Sequence, residues 1–192
     1  GDVVDVLPAL RCLRSNFPKS RISWLVEDRA STILSGLPDI DDVIVFPRKK
    51  WQREILKVNR TISTLSDVLS FYRKLHGEHY DLVLDFQGNL KSGIMDLITG
   101  AKNRVGFGKG FSKEFNYLFT KYRVYPKNKR EHRIDKNLSL LKGIGFNAKF
   151  QNPEFPVSCP DQEYISHFID ENNKSSVPLI IINPCTSEYG SY

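Results

Sequence analysis

Asp81-Leu82-Val83-Leu84-Asp85-Phe86, then Gln87-Gly88, then Leu90-Lys91-Ser92-Gly93-Ile94-Met95-Asp96-Leu97-Ile98 reads as strand, turn and helix in succession. The first run is short, apolar and bounded by carboxylates. The glycine supplies the turn, and the last run predicts a helix over 90–98. Working outward, the same alternation recurs. Upstream, Val3, Val4, Leu7, Leu10 and Leu13 predict a helix over 3–17, with Pro8 tolerated early in it. Ile22–Val26 is a short strand and Val43–Phe46 a buried one, separated by a helix over 28–34 with Asp28 as its cap and a turn at 38–42. The basic stretch 47–60 has weak periodicity. A helix over 66–75 follows, with Leu65, Val68, Leu69 and Tyr72 on one face. Downstream come a strand over 103–107 and a helix over 131–144 that turns Ile134, Leu138, Leu141 and Ile144 inward and ends at Gly143 and Gly145. Three prolines in 152–160 mark a linker, residues 162–172 a short helix, and Leu179–Ile182 an apolar strand running into Asn183-Pro184-Cys185-Thr186-Ser187.

Strand and helix alternate throughout, so the fold class is α/β with a parallel sheet. The reading expects a strand ahead of Gly1 and a second α/β domain opening at the final strand. The expected division is a first domain over 1–150, a linker and helix over 151–177, and the start of the second domain over 178–192.

The composition narrows the classes. Hydrophobic residues make up 40% of 192, enough for a packed core, and no apolar run is long enough to span a bilayer. The three cysteines, Cys12, Cys159 and Cys185, are odd in number and widely spaced, which favours a reducing compartment without a disulfide framework. The net charge of +6 is uneven. Residues 48–60 carry six Lys/Arg against Glu54, and residues 101–136 carry eleven against three acids, so the rest of the chain is acidic. Two basic segments suggest an anionic ligand or surface, with solvated faces as the ordinary alternative.

Several constellations could carry chemistry. Asp2 stands with Gly1 at the mouth of the first helix, where backbone N–H groups and the helix dipole favour a carboxylate. Such a group can take a proton from an attacking hydroxyl. The ordinary role of an aspartate there is a helix cap. Gln87 and Lys91 could hold sugar hydroxyls or phosphate, whereas Asp85 and Ser92 could simply satisfy the turn. Arg48-Lys49-Lys50-Trp51 sets three cations beside an aromatic, suited to phosphate or carboxylate. His76 and His79 are three residues apart with a glycine between, a poor metal pair. Dinucleotide-type and Walker-type glycine loops and recognised nucleic-acid motifs are absent from the sequence.

Taken together, Gly1-Asp2-Val3-Val4 with Leu7-Pro8-Ala9-Leu10, Phe17-Pro18 with Ile22–Glu27, Asp81–Gly88 with Lys91-Ser92, Arg104-Val105-Gly106-Phe107, and Asn183-Pro184 with Thr186-Ser187 resemble the bacterial lipopolysaccharide heptosyltransferases of glycosyltransferase family 9. The resemblance implies a GT-B fold of two Rossmann-like halves, the first lacking its first strand here. It implies an inverting, metal-independent transfer of heptose from ADP-heptose to an anionic acceptor, the lipopolysaccharide core or Kdo-lipid A. It carries no cofactor. It places Asp2 as general base, Arg48, Lys49, Lys50, Lys91 and Lys113 at the acceptor, and Thr186 and Ser187 at the donor diphosphate. It also implies a cytoplasmic protein held peripherally on the inner face of the inner membrane, with no nucleic-acid partner. The lysine and serines that precede Gly1 in the family, and the lysine and tryptophan that follow the Thr186 loop, have no counterparts in the sequence, so the chain alone is not expected to catalyse. The alternatives are a GT-B enzyme using another nucleotide-sugar, or a non-catalytic module for an anionic partner.

Overall fold

The computed structural model describes residues 2–55, 61–155, 157 and 159–172. The chain divides into two compact units, Gly1–Glu154 and Phe155–Tyr192. The predicted strand over 179–182 and the Thr186-Ser187 loop lie outside the described residues.

In the first unit the opening helix begins as a tight 3-10 turn, Val4–Val6, and continues as α1, Leu7–Asn16, with Pro8 in its first turn. Strand β1 is Ser23–Glu27. A 3-10 turn at Asp28–Ala30 leads into the short α2, Ser31–Leu34, and Asp28 makes no capping bond there. Strand β2 is Asp42–Phe46, and the basic stretch after it forms α3, Arg48–Ile55. Helix α4 spans Thr61–Gly77, β3 Leu82–Leu84, α5 Leu90–Ile98 and β4 Asn103–Phe107. After a 3-10 turn at Asn116–Leu118 come β5, Tyr122–Val124, and α6, Arg133–Gly143. The second unit contains α7, Cys159–Asn172, which starts three residues before the predicted helix.

All strand pairs among the described residues are parallel. β1 pairs with β2, with Leu25 opposite Ile44. β3, β4 and β5 form a second sheet in that order, with Leu84 opposite Val105 and Phe107 opposite Val124. Helix α1 ties the two together. Its Leu7 and Leu10 pack with Ile22, Val26, Leu34 and Leu37. Its Ala9 and Cys12 pack with Leu138 and Leu141 of α6. Leu140 of α6 then closes over Val105, Phe107 and Val124. Each leucine buried this way stabilises the fold by about 1.5–3 kcal/mol relative to exposure.

Two expectations are corrected. In α4 the inward residues are Thr64 and Leu75, with Phe71 stacked edge-on against Trp51, while Leu65 and Leu69 stay exposed. Leu65, Val68, Leu69 and Tyr72 do share a helical stripe, but the aromatic cluster of Phe46, Trp51 and Phe71 fixes the rotation of the helix one position round. Strand β2 is half-buried rather than buried, because only β1 flanks it among the described residues.

Candidate active site

Parallel strands place their following loops on one edge, and the loops after β3 and β4 meet there. The first is organised by Asp85, which is buried. One carboxylate oxygen accepts the Gln87 and Gly88 amides, each at 2.9 Å. The other accepts Ser92 Oγ and Asn116 Nδ2, each at 2.7 Å. Gly88 stands at φ +64°, where a side chain would be strained. Asn89 caps α5, accepting the Ser92 amide while Ser92 Oγ accepts the Asn89 amide. Asp85 and Ser92 therefore take the turn-satisfying role. Beneath them lies Asp96, also buried, with Oδ2 unpartnered by any hydrogen-bond donor. Burial first, and the charge of Asp85 second, push its carboxyl up to about 9, so it is neutral at pH 7 and has Asp85 as an acceptor for its proton.

The loop after β4 is joined to this turn by the Lys113 amide, which donates to the Gly88 carbonyl at 2.7 Å. Helix α6 is joined to the same loop by Lys136, whose Nζ donates to the Phe111 carbonyl at 3.0 Å and lies 4.4 Å from the centre of the Phe107 ring. Burial, then the charges of Lys113 and Arg133, hold the Lys136 ammonium below its ordinary range. Three cations thus converge where an anion would relieve their repulsion.

Asp2 enters from the other side. Val3 occupies the cap position of the first turn and no side chain caps it, so the helix-cap role for Asp2 is not realised. The Asp2 carboxylate, 80% exposed, instead accepts from the Arg133 guanidinium at the start of α6. The same guanidinium reaches Asp5 at 3.7 Å. Asn137 Nδ2 pins this segment by donating to the Asp5 carbonyl at 2.9 Å. Asp2 is thus joined to Arg133, Lys136 feels the charges of Arg133 and Lys113, and the Lys113 amide is bonded to the Gly88 turn, while Lys91 stands exposed in the first turn of α5.

The remaining predicted cations sit elsewhere. Arg48, Lys49 and Lys50 occupy the first turn of α3, after the carboxyl end of β2. Arg48 pairs with Glu27 at 3.2 Å and Lys50 with Asp67 at 3.9 Å. Thr186 and Ser187 lie outside the described residues. No cluster of three or more His, Cys, Asp or Glu side chains suited to a metal occurs among the described residues. His76 sets its Nδ1 3.1 Å from the Ile98 carbonyl. Sequence reasoning passed over Arg133, Lys136 and Asn116. The high charge of 101–136 was visible, but not which of its eleven cations fold back onto Asp2.

The comparisons with known proteins agree on one family. The model of glycosyltransferase family 9 (heptosyltransferase) matches residues 68–190. The chain belongs to glycosyltransferase family 9. Among curated members, the lipopolysaccharide core heptosyltransferase OpsX of Haemophilus influenzae is 24% identical over 98% of this chain and 49% of its own length. Lipopolysaccharide heptosyltransferase 1 of Salmonella typhimurium is 26% identical over 97% of this chain and 56% of its own. This family 9 chain therefore spans about half the length of the curated relatives it matches. In structure it is similar to the Escherichia coli heptosyltransferase WaaC with ADP-2-deoxy-2-fluoro heptose, with a TM-score of 0.66 and 22% identity, over 80% of this chain and 48% of that one. A family 9 glycosyl transferase from Veillonella parvula gives the same TM-score at 18% identity, over 90% and 46%. The α/β fold with parallel sheets is that of GT-B heptosyltransferases.

Proposed function

We propose that this chain is the acceptor-side part of an inverting heptosyltransferase that moves heptose from ADP-heptose to the anionic inner core of lipopolysaccharide or to Kdo-lipid A. The observation that carries this reading is the position of Asp2. It is relieved of any capping role, exposed, and held by Arg133 at the loop edge beside Lys113 and Lys136. In the reaction an acceptor hydroxyl attacks the anomeric carbon of the donor sugar. Asp2 takes the hydroxyl proton as the new C–O bond forms, and the bond to the diphosphate breaks with inversion, releasing ADP. Lys91, Lys113 and the α3 cations Arg48, Lys49 and Lys50 hold the acid groups of the acceptor. Thr186 and Ser187 bind the leaving diphosphate. Protein groups supply the positive field it needs, so the transfer needs no metal. No helix among the described residues is long and apolar enough to cross a membrane. The protein works peripherally, on the cytoplasmic face of the inner membrane.

The test is transfer from ADP-heptose to Kdo-lipid A by the complete gene product, with EDTA present, beside Asp2→Ala. The expected result is turnover in EDTA that falls by about two to four orders of magnitude in Asp2→Ala, with ADP-heptose affinity unchanged. Full turnover in Asp2→Ala would remove the base role. A folded protein inert toward ADP-heptose would point to another nucleotide-sugar, and then to a non-catalytic module.

A further inference from the structure

Five large apolar side chains stand out from one surface of the first unit. Leu90, Ile94 and Leu97 recur at i, i+4 and i+7 along α5 and are all exposed, Leu97 by 52%. Phe115 and Leu118 are exposed by 69% and 63%. These groups share a face because the 3-10 turn at Asn116–Leu118 packs directly on α5. A Cβ placed on Gly93 would lie 2.7 Å from the Phe119 ring and 2.9 Å from the Asn116 amide. The Leu90 amide also donates to Glu114 Oε2 at 3.1 Å.

The loop carrying Phe115 is strained. Glu114 and Phe115 adopt φ +51° and +59° in succession, a region that a bulky L-residue enters at a cost. That cost directs an aromatic ring into water rather than into the core. Lys91, in the first turn of α5, and Arg123, whose Nε donates to the Tyr117 carbonyl at 2.8 Å, border the apolar face, and Lys102 and Lys121 are exposed just after α5 and just before β5. Lys121 lies 5.2 Å from the centre of the Tyr122 ring, and Arg123 5.7 Å from that of Tyr117. The only acids over 90–123 are Asp96, which is buried and neutral, and Glu114, which is engaged by the Leu90 amide.

We propose that this face, α5 with the 115–118 segment, is where the protein rests on an anionic lipid bilayer. Apolar side chains enter the headgroup boundary while the cationic rim meets lipid phosphates. A second copy is a poor occupant, since a two-fold contact would set one cationic rim against another. Nucleic acid is a poor occupant because the cations lie at the edge and the centre is aliphatic. The inference rests on the reading of a lipid-anchored acceptor, because the face adjoins Lys91 and Lys113 and would present them at headgroup height.

The experiment is co-sedimentation of the complete protein with vesicles of phosphatidylglycerol and phosphatidylcholine, and with phosphatidylcholine alone. Wild type is expected to pellet with the anionic vesicles only. Phe115→Ser with Leu118→Ser is expected to weaken that binding by about fivefold or more, and Lys121→Glu with Arg123→Glu to abolish it. The serine pair should keep its transfer rate on a soluble, deacylated acceptor, since both side chains lie outside the proposed site. Equal binding by the serine pair, no binding by wild type, or a wild-type dimer lost on the same substitutions would each overturn the proposal. Vesicle binding in a protein that transfers no heptose would refute the transfer reading and leave this face standing. Transfer without vesicle binding would do the reverse.

Discussion

At the scale of single residues, the carboxylates of the first unit divide by what surrounds them. Asp85 accepts from four donors and shapes a turn, whereas Asp96 beside it is buried against that carboxylate with only the weaker pull of Arg104 to offset it. The folded protein therefore retains a proton on Asp96, pushed up to about 9, that the unfolded chain releases near 3.8. The folded state binds more protons between those values, so this group's contribution to stability is greatest below about pH 4. It is lost as pH rises toward 9, at up to about 1.4 kcal/mol per pH unit. Asp96→Asn keeps a neutral donor facing Asp85 and titrates nowhere in this range. Urea unfolding between pH 5 and pH 8 is expected to show wild type weakening with pH and the asparagine variant holding steadier, so that the variant is the more stable at pH 8. Parallel curves would mean that Asp96 ionises like an exposed carboxylate.

At the scale of elements, α5 shows how closely local pieces are fitted. Gly93 lies under Phe119 and Asn116, so the Asn116–Leu118 turn can approach only because the helix lacks a side chain there. Gly93→Ala must push that ring and amide away, disturbing the Asn116 bond to Asp85. A loss of about 1–3 kcal/mol is expected by chemical unfolding, despite the better helix propensity of alanine. A neutral or stabilising result would show that the turn yields freely. The bounds of α5 and β4 were legible in sequence, since a glycine turn and clean apolar spacing mark both. Strand β5 was not. Tyr122-Arg123-Val124 is three residues long, follows a lysine and buries only Val124, so it has no alternation to read. It forms because the β4 edge offers partners, a tertiary cause invisible locally. The rotation of α4 was hidden likewise, since Phe71 is drawn in by Phe46 and Trp51 from other elements.

At the scale of the molecule, the candidate site was legible as residue types and obscure as a constellation. Asp2 and Lys113 were visible as motif residues, but Arg133, 131 positions from Asp2, is brought to it only by the packing of α1 on α6. The same packing sets the two basic segments on different sheets. The 101–136 segment furnishes the edge around Asp2, while Arg48, Lys49 and Lys50 stand after β2 with Glu27 and Asp67 as partners. Exposed ion pairs of this kind add little to stability, which leaves the α3 cations available to a stronger anion. If they meet the acceptor through long-range attraction, neutralising all three to glutamine should raise the acceptor KM roughly tenfold near 0.01 M salt, where the Debye length is about 30 Å. The effect should shrink toward nothing near 1 M, where that length is about 3 Å. A rise that ignores salt would indicate direct, desolvated contacts in place of steering. No rise at either salt would return α3 to its ion pairs with Glu27 and Asp67, and leave acceptor recognition to the cations gathered around Asp2.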